Sequence, residues 1–118
     1  MNRSIQRGIE YKAKCIKDVK MKLKNLSMSE YKRSVIFHPV EKDKSGKEIK
    51  PAQFEFDLDV MFSCMVFDIE NLSLTDENKK TVEIKTGQDI LDNPGLNDLY
   101  LELIPVLTKM EARVDAKN

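Results

Sequence analysis

A helix-rich α+β fold follows from three observations: one apolar stripe at helical spacing, one run of strict alternation, and turn residues between them. The stripe is Leu58, Met61, Phe62, Met65, Val66 and Ile69, at i, i+3, i+4, i+7, i+8 and i+11. The alternation is VKMKLKNL, where Val19, Met21 and Leu23 interleave with Lys20, Lys22 and Lys24. The expected architecture is a central apolar helix and C-terminal helices. A small sheet or hairpin from the N-terminal half completes it.

Residues 1–15 show no sustained period and read as an arm that is at least partly mobile. Residues 16–118 read as one globular domain, a length suited to a single core. Period two over residues 19–24 predicts a half-buried strand with its lysines in water. A rival helical reading uses Ile16, Val19, Leu23 and Leu26, and both stay open for residues 16–26. Ser27-Met28-Ser29-Glu30 has the capping-box pattern. It predicts a short helix with Met28, Tyr31 and Val35 inward, ending before Pro39. VEKDKSGKEIKPA, residues 40–52, is an exposed loop or a hairpin turning at Ser45-Gly46.

Phe54 and Phe56 alternate with Gln53 and Glu55, as in a short strand leading into the central helix. Asp57 stands at the N-cap and Asp59 in the first turn, where the helix dipole favours negative charge. TVEIK, residues 81–85, is a further short strand, and Thr86 caps GQDILDN before Asn93-Pro94-Gly95. The last element starts at Leu96, with Leu99, Leu103, Val106, Leu107, Met110 and Val114 on one face. Pro105 predicts a kink or break near Ile104.

Apolar residues are 41% and charged residues 34% of the chain, a globular balance and not a disordered one. No apolar segment reaches the roughly 18 residues of a bilayer span. MNRSIQRGIEYKAK has no apolar signal core, so a cytoplasmic location is expected. Cys15 and Cys64 read as two reduced thiols. Net charge is zero, yet residues 1–50 carry 14 Lys and Arg against 6 Asp and Glu, and residues 51–118 carry 6 against 14. Halves of +8 and −8 attract each other within one fold, or head-to-tail between copies; a basic arm for nucleic acid is the other reading.

DIENLSLTDENKK fails the calcium-loop pattern. Starting at Asp68, position 5 is Leu72, position 6 Ser73 and position 12 Lys79; starting at Asp76, position 5 is Lys80 and position 6 Thr81. One histidine, His38, rules out a multi-histidine zinc site within a single chain. No nucleophile elbow and no glycine-rich phosphate loop occurs. No catalytic residue, cofactor or metal is assigned, and the chain reads as a non-enzyme. Lys12, Lys14, Lys17, Lys20, Lys22 and Lys24 have no interleaved aromatics for base stacking. They read as the outer face of an edge strand, where lysine discourages pairing.

Beyond Met61, CMVFDIENLSLTDENKKTVEI and TGQDILDNPGLNDLYLELIPVLTKMEARVDAKN resemble small proteins from tail-morphogenesis regions of bacteriophages and prophages. The resemblance covers about half the chain. It lies in a V-x-D-x-E-N-L phrase after an apolar helix, here Val66, Asp68, Glu70, Asn71 and Leu72, and in the closing Lys117-Asn118. Within that group the chain looks like a tail assembly chaperone. The resemblance implies a non-enzymatic protein of the bacterial host cytoplasm that binds tape-measure and tail-tube proteins. It also implies a longer product made by ribosomal frameshifting, which Ala116-Lys117-Asn118 permits through the codons GCA AAA AAC. The alternatives are a virion component, such as a tail terminator or head–tail connector, and a small nucleic-acid-binding regulator. Self-association is the other partner expectation, and no membrane partner is expected. The residues expected at a partner surface are Lys17, Lys20, Lys22, Lys24, Leu103, Val106, Leu107 and Met110.

Overall fold

The structure is a computed structural model that describes residues 1–5 and 7–115, with side chains as far as residue 111. The terminal Ala116-Lys117-Asn118 and the Val114 side chain lie outside the described residues. The fold is α+β, and its order shows how the two periodicities were used.

Two strands of the basic half form the first hairpin: β1 (Ile9–Lys12) and β2 (Lys20–Leu23), paired antiparallel from Ile9↔Leu23 to Lys12↔Lys20. The arm expected over residues 1–15 is therefore an edge strand from Ile9 onward. Over residues 20–23 the strand reading holds and the helical one fails. Met21 and Leu23 point into the core, 1% and 0% exposed, while Lys20 and Lys22 point out. β2 is not an edge, however. It is the middle strand of a sheet ordered β1-β2-β7, where β7 is Val66–Glu70.

After β2, α1 (Met28–Ser34) opens on the expected capping box: Ser27 Oγ accepts from Glu30 N at 3.1 Å, and Glu30 Oε1 accepts from Ser27 N at 3.0 Å. The helix is shorter than its pattern suggested. It buries Ser34, leaves Met28 67% exposed, and gives way to strand at Val35. Tyr31 is half-buried, edge-on to Phe56 with ring centroids 5.3 Å apart.

A long two-stranded ribbon follows, built from β3 (Val35–His38), β4 (Glu41–Lys42), β5 (Glu48–Lys50) and β6 (Gln53–Phe56). It turns where the sequence suggested. Asp43 Oδ1 accepts from Ser45 N and Lys47 N, both at 2.9 Å, and Gly46 takes φ +86°. The second hairpin, β8 (Ser73–Thr75) with β9 (Thr81–Glu83), repeats this turn in different residues. Asp76 Oδ1 accepts from Asn78 N at 2.8 Å and Lys80 N at 2.9 Å, and Lys79 occupies the glycine's place at φ +61°.

The six-position apolar stripe is divided between two elements. α2 (Leu58–Met65), capped by Asp57 Oδ1 on Asp59 N and Val60 N, buries Met61, Phe62 and Met65 and leaves Leu58 40% exposed. The chain then passes directly into β7. Val66 and Ile69 are both buried although three apart, because Asp68, in the left-handed region at φ +48°, is an extra residue opposite β2. That bulge reproduces a helical spacing inside a strand. α3 (Gly87–Leu91) is capped by Thr86 and Asp89, and it lies so close to α2 that a Cβ on Gly87 would meet Phe62 O at 2.8 Å. A 3-10 turn (Pro94–Leu96) leads into α4 (Asn97–Asp115). α4 is not broken at Pro105: the helix continues through it, with Pro105 on the exposed side. The carbonyl that loses its partner is that of Leu101, itself 68% exposed, where water can replace the amide.

The core is one cluster. Val19, Met21, Leu23, Val66 and Ile69 from the sheet side meet Met61, Phe62 and Met65 of α2, Ile90 of α3 and Leu96. Leu99, Leu103 and Leu107 of α4 close it. Burial of these side chains is the main favourable term in the fold. The radius of gyration is 18.3 Å, against about 13–14 Å for a compact chain of this length. The ribbon of β3 to β6 projects from the core, its strands exposed over almost their whole length.

The two matched turns carry a stability prediction. Lys79→Gly removes left-handed strain and should stabilise the protein by about 1 kcal/mol, roughly 3–6 °C in Tm. Gly46→Ala should cost a similar amount, since only φ opposes it. Thermal unfolding by circular dichroism checks both; an unchanged Tm in both variants would mean the turns are not held as described.

Candidate functional site

Chemistry-bearing side chains gather in two places: the lysine-rich N-terminal hairpin and the exposed ribbon. Among the described residues no group of three or more His, Cys, Asp and Glu is placed to hold a metal ion.

On the outer face of the sheet, Lys20 Nζ lies 3.8 Å from Glu10 and 3.8 Å from Glu70. Lys22 Nζ lies 3.6 Å from Asp68, and Lys24 Nζ lies 3.1 Å from Glu30. Three of the four lysines expected at a partner surface thus face carboxylates of their own chain. Alternation set their direction, but strand order decided their neighbours. The fourth, Lys17, is exposed in the β1–β2 loop. Together with Lys12, Lys14 and Lys20 it rims an open concavity of about 990 Å³, whose wall also includes Asp18 and Asn71.

The β1–β2 loop is held from beneath by α4. Glu102 Oε1 accepts from Cys15 N at 2.8 Å, and its Oε2 accepts from Lys14 N at 2.9 Å and Tyr11 Oη at 2.8 Å. Burial opposes the charge, but these donors hold the Glu102 carboxyl below its ordinary 4.5. The same arrangement acts in the other direction on its neighbours. Desolvation, then the Glu102 carboxylate, pushes the Tyr11 hydroxyl and the Cys15 thiol up to about 12 each. Cys15 is therefore a protonated thiol near neutral pH, a poor nucleophile. Cys64 is also raised, mainly by burial, with Arg33 Nη2 3.8 Å from its sulfur. At the far end of β2, Glu111 is 6% exposed and accepts from Leu26 N at 3.0 Å.

Leu103 and Leu107, expected at a partner surface, are 0% exposed within this chain, and Val106 and Met110 are half-buried against the same core. The face of α4 that is open carries Leu101 and, one turn on, Pro105. On the ribbon, Phe37 faces Phe54 across the strands with ring centroids 5.1 Å apart, yet the two are 55% and 74% exposed. Ile36, Val40 and Ile49 elsewhere on the ribbon are also exposed. His38 Nε2 lies 2.9 Å from Glu55 Oε2 on the ribbon. The ribbon and the outer face of α4 are the apolar surfaces that sequence reasoning missed. The ribbon was legible as a hairpin, but nothing in the pattern said that its phenylalanines would stand clear of the core.

The phrase Val66-x-Asp68-x-Glu70-Asn71-Leu72 has a structural use at each position. Val66 and Leu72 are buried, Asp68 makes the bulge, and Glu70 faces Lys20. Asn71, at φ +64°, donates from Nδ2 to Asp18 O at 3.2 Å. No helix among the described residues is long and apolar enough to cross a membrane. Comparison with family models, characterised proteins and solved structures returns no match.

Glu102 supplies a test. A carboxyl held below its ordinary value contributes stability that is complete above 4.5 and is lost as pH falls through the folded value. Glu102→Gln should cost about 1–2 kcal/mol at pH 7. It should also flatten part of the acid limb of the stability curve, the rest coming from Glu30, Asp43 and Asp89, which are likewise lowered. Alkylation of Cys15 at mildly alkaline pH should speed up in the variant. Urea titrations across pH and mass-spectrometric labelling give the two readouts; an acid limb identical to wild type would exclude the clamp.

Proposed function

We propose that the protein is a non-enzymatic factor of bacteriophage or prophage tail assembly, a tail assembly chaperone acting in the host cytoplasm on a tape-measure or tail-tube protein. The observation that carries this reading is the placement of large apolar side chains outside a complete core. Leu101 sits beside Pro105 on α4, and Phe37, Ile49 and Phe54 stand on the ribbon. A long partner with apolar stretches can be met at several such points, each contact weak alone and strong when linked. The sequence resemblance through Val66, Asp68, Glu70, Asn71 and Leu72 points the same way.

A virion component is the second reading. It is favoured by the projecting ribbon, a form suited to gripping a neighbouring subunit in a ring. A nucleic-acid regulator is less well supported, since Lys20, Lys22 and Lys24 face carboxylates of their own chain.

Two experiments test the proposal. Co-expression should raise the soluble fraction of a tape-measure protein from the same phage or prophage. Leu101→Lys should weaken that rescue without lowering Tm, because the site is exposed. Expression of the gene with its natural downstream DNA should also give a minor extended product by intact mass. No rescue and no extended product would move the assignment to the virion component.

A further inference from the structure

We propose that the β6 edge of the ribbon is a self-recognition surface that joins two copies of this chain into one four-stranded antiparallel sheet. Asp57 N donates to Ser34 O at 2.7 Å at the base of the ribbon, where the register continues as Val35↔Phe56, Ile36↔Glu55, Phe37↔Phe54 and His38↔Gln53. Hydrogen-bonded and non-hydrogen-bonded pairs alternate in an antiparallel ladder. Ser34/Asp57 is of the first kind, so Phe37/Phe54 is of the second, and the N–H and C=O of both phenylalanines point away from the ribbon.

The two edges are not equal. Along β3 the outward positions are Val35, Phe37 and Pro39, and Pro39 has no N–H to offer, which blunts that edge. Along β6 they are Phe56, Phe54 and Ala52, all with an amide. Phe54 therefore combines the most exposed aromatic ring of the ribbon, at 74%, with an outward backbone donor and acceptor. That combination is what strand addition uses: main-chain bonds for affinity, alternate side chains for selection.

The occupant is a second β6 because the edge complements itself. With Phe54 on a two-fold axis, Phe54 pairs with Phe54 of the other copy, Gln53 with Glu55, and Ala52 with Phe56. The amide of Gln53 is set against the carboxylate of Glu55, and small Ala52 against large Phe56. The four rings of Phe37 and Phe54 in the two copies form one row. A lone two-stranded hairpin is marginal in water, and doubling it supplies the missing strands.

Cysteine cross-linking reads the register directly. In a Cys15→Ser, Cys64→Ser background, Phe54→Cys should form a disulfide dimer under mild oxidation. The two α-carbons of a hydrogen-bonded antiparallel pair are about 5.5 Å apart, within disulfide reach. Phe37→Cys and Lys50→Cys should stay monomeric, since their copies are about 14 Å and about 27 Å apart across and along the sheet. By sedimentation, wild type should dimerise with rising concentration. Phe54→Asp, which sets two like charges on the axis at an exposed position, should abolish the dimer without lowering Tm. A chain monomeric at millimolar concentration overturns the proposal. So does equal cross-linking at positions 37, 50 and 54, or capture of Phe54→Cys only by a strand of another protein.

Discussion

The N-terminal hairpin is held in place by carboxylates from the other end of the chain. Glu102 takes the amides of Lys14 and Cys15 before β2, and buried Glu111 takes the amide of Leu26 after it. These amides leave the ladder where the strand ends and would otherwise need solvent inside a partly dry boundary. Each bond spans more than 80 residues of chain. The sheet's end amides are satisfied by α4, and α4 buries Leu99, Leu103 and Leu107 in the one core it shares with the sheet, α2 and α3. Hairpin and helix complete each other, so the core forms as a unit.

The charge asymmetry has a plain origin in this arrangement. β1 and β2 come from the basic half and β7 from the acidic half, and the sheet sets them side by side. Lys20 beside Glu70 and Lys22 beside Asp68 join the two halves on the solvent face. Exposed pairs of this kind contribute little energy each. Register is set instead by burial, since a slip by one residue would turn Met21 and Leu23 outward.

Local chemistry was legible in the sequence wherever a few adjacent residues decide the outcome. The capping boxes at Ser27 and Thr86, the N-cap at Asp57 and the turn at Gly46 all form as their residue types imply. Alternation over residues 20–23 offered the strand but left a helix open, and the sheet decided between them. Illegible were the features set by residues distant in sequence. The bulge at Asp68 gave Val66 and Ile69 a helical spacing that hid the change to strand at Met65. Pro105 lies within a continuous α4 because it stands on the exposed side, where water can serve the Leu101 carbonyl, and that depends on which side the core took. Of the expected partner residues, Leu103 and Leu107 carried an apolar stripe that the chain itself consumes, while Phe37 and Phe54, assigned to no surface, stand exposed on the ribbon.

The ribbon has one further property, mechanical rather than chemical. Pro39 and Pro51 interrupt the ladder just beyond the His38↔Gln53 pair, so that β3–β6 and β4–β5 are two separate ladders in one hairpin. Pro51 has no amide to give Val40 across the ribbon, while the covalent chain runs on through both strands. Such a joint transmits tension along its length but resists bending poorly. The tip, with the Asp43–Lys47 turn, can then change its angle to the body without opening the base, where Phe56 rests on Tyr31. A grip made through the tip would tolerate a range of approach angles and still pull on the core along a single line.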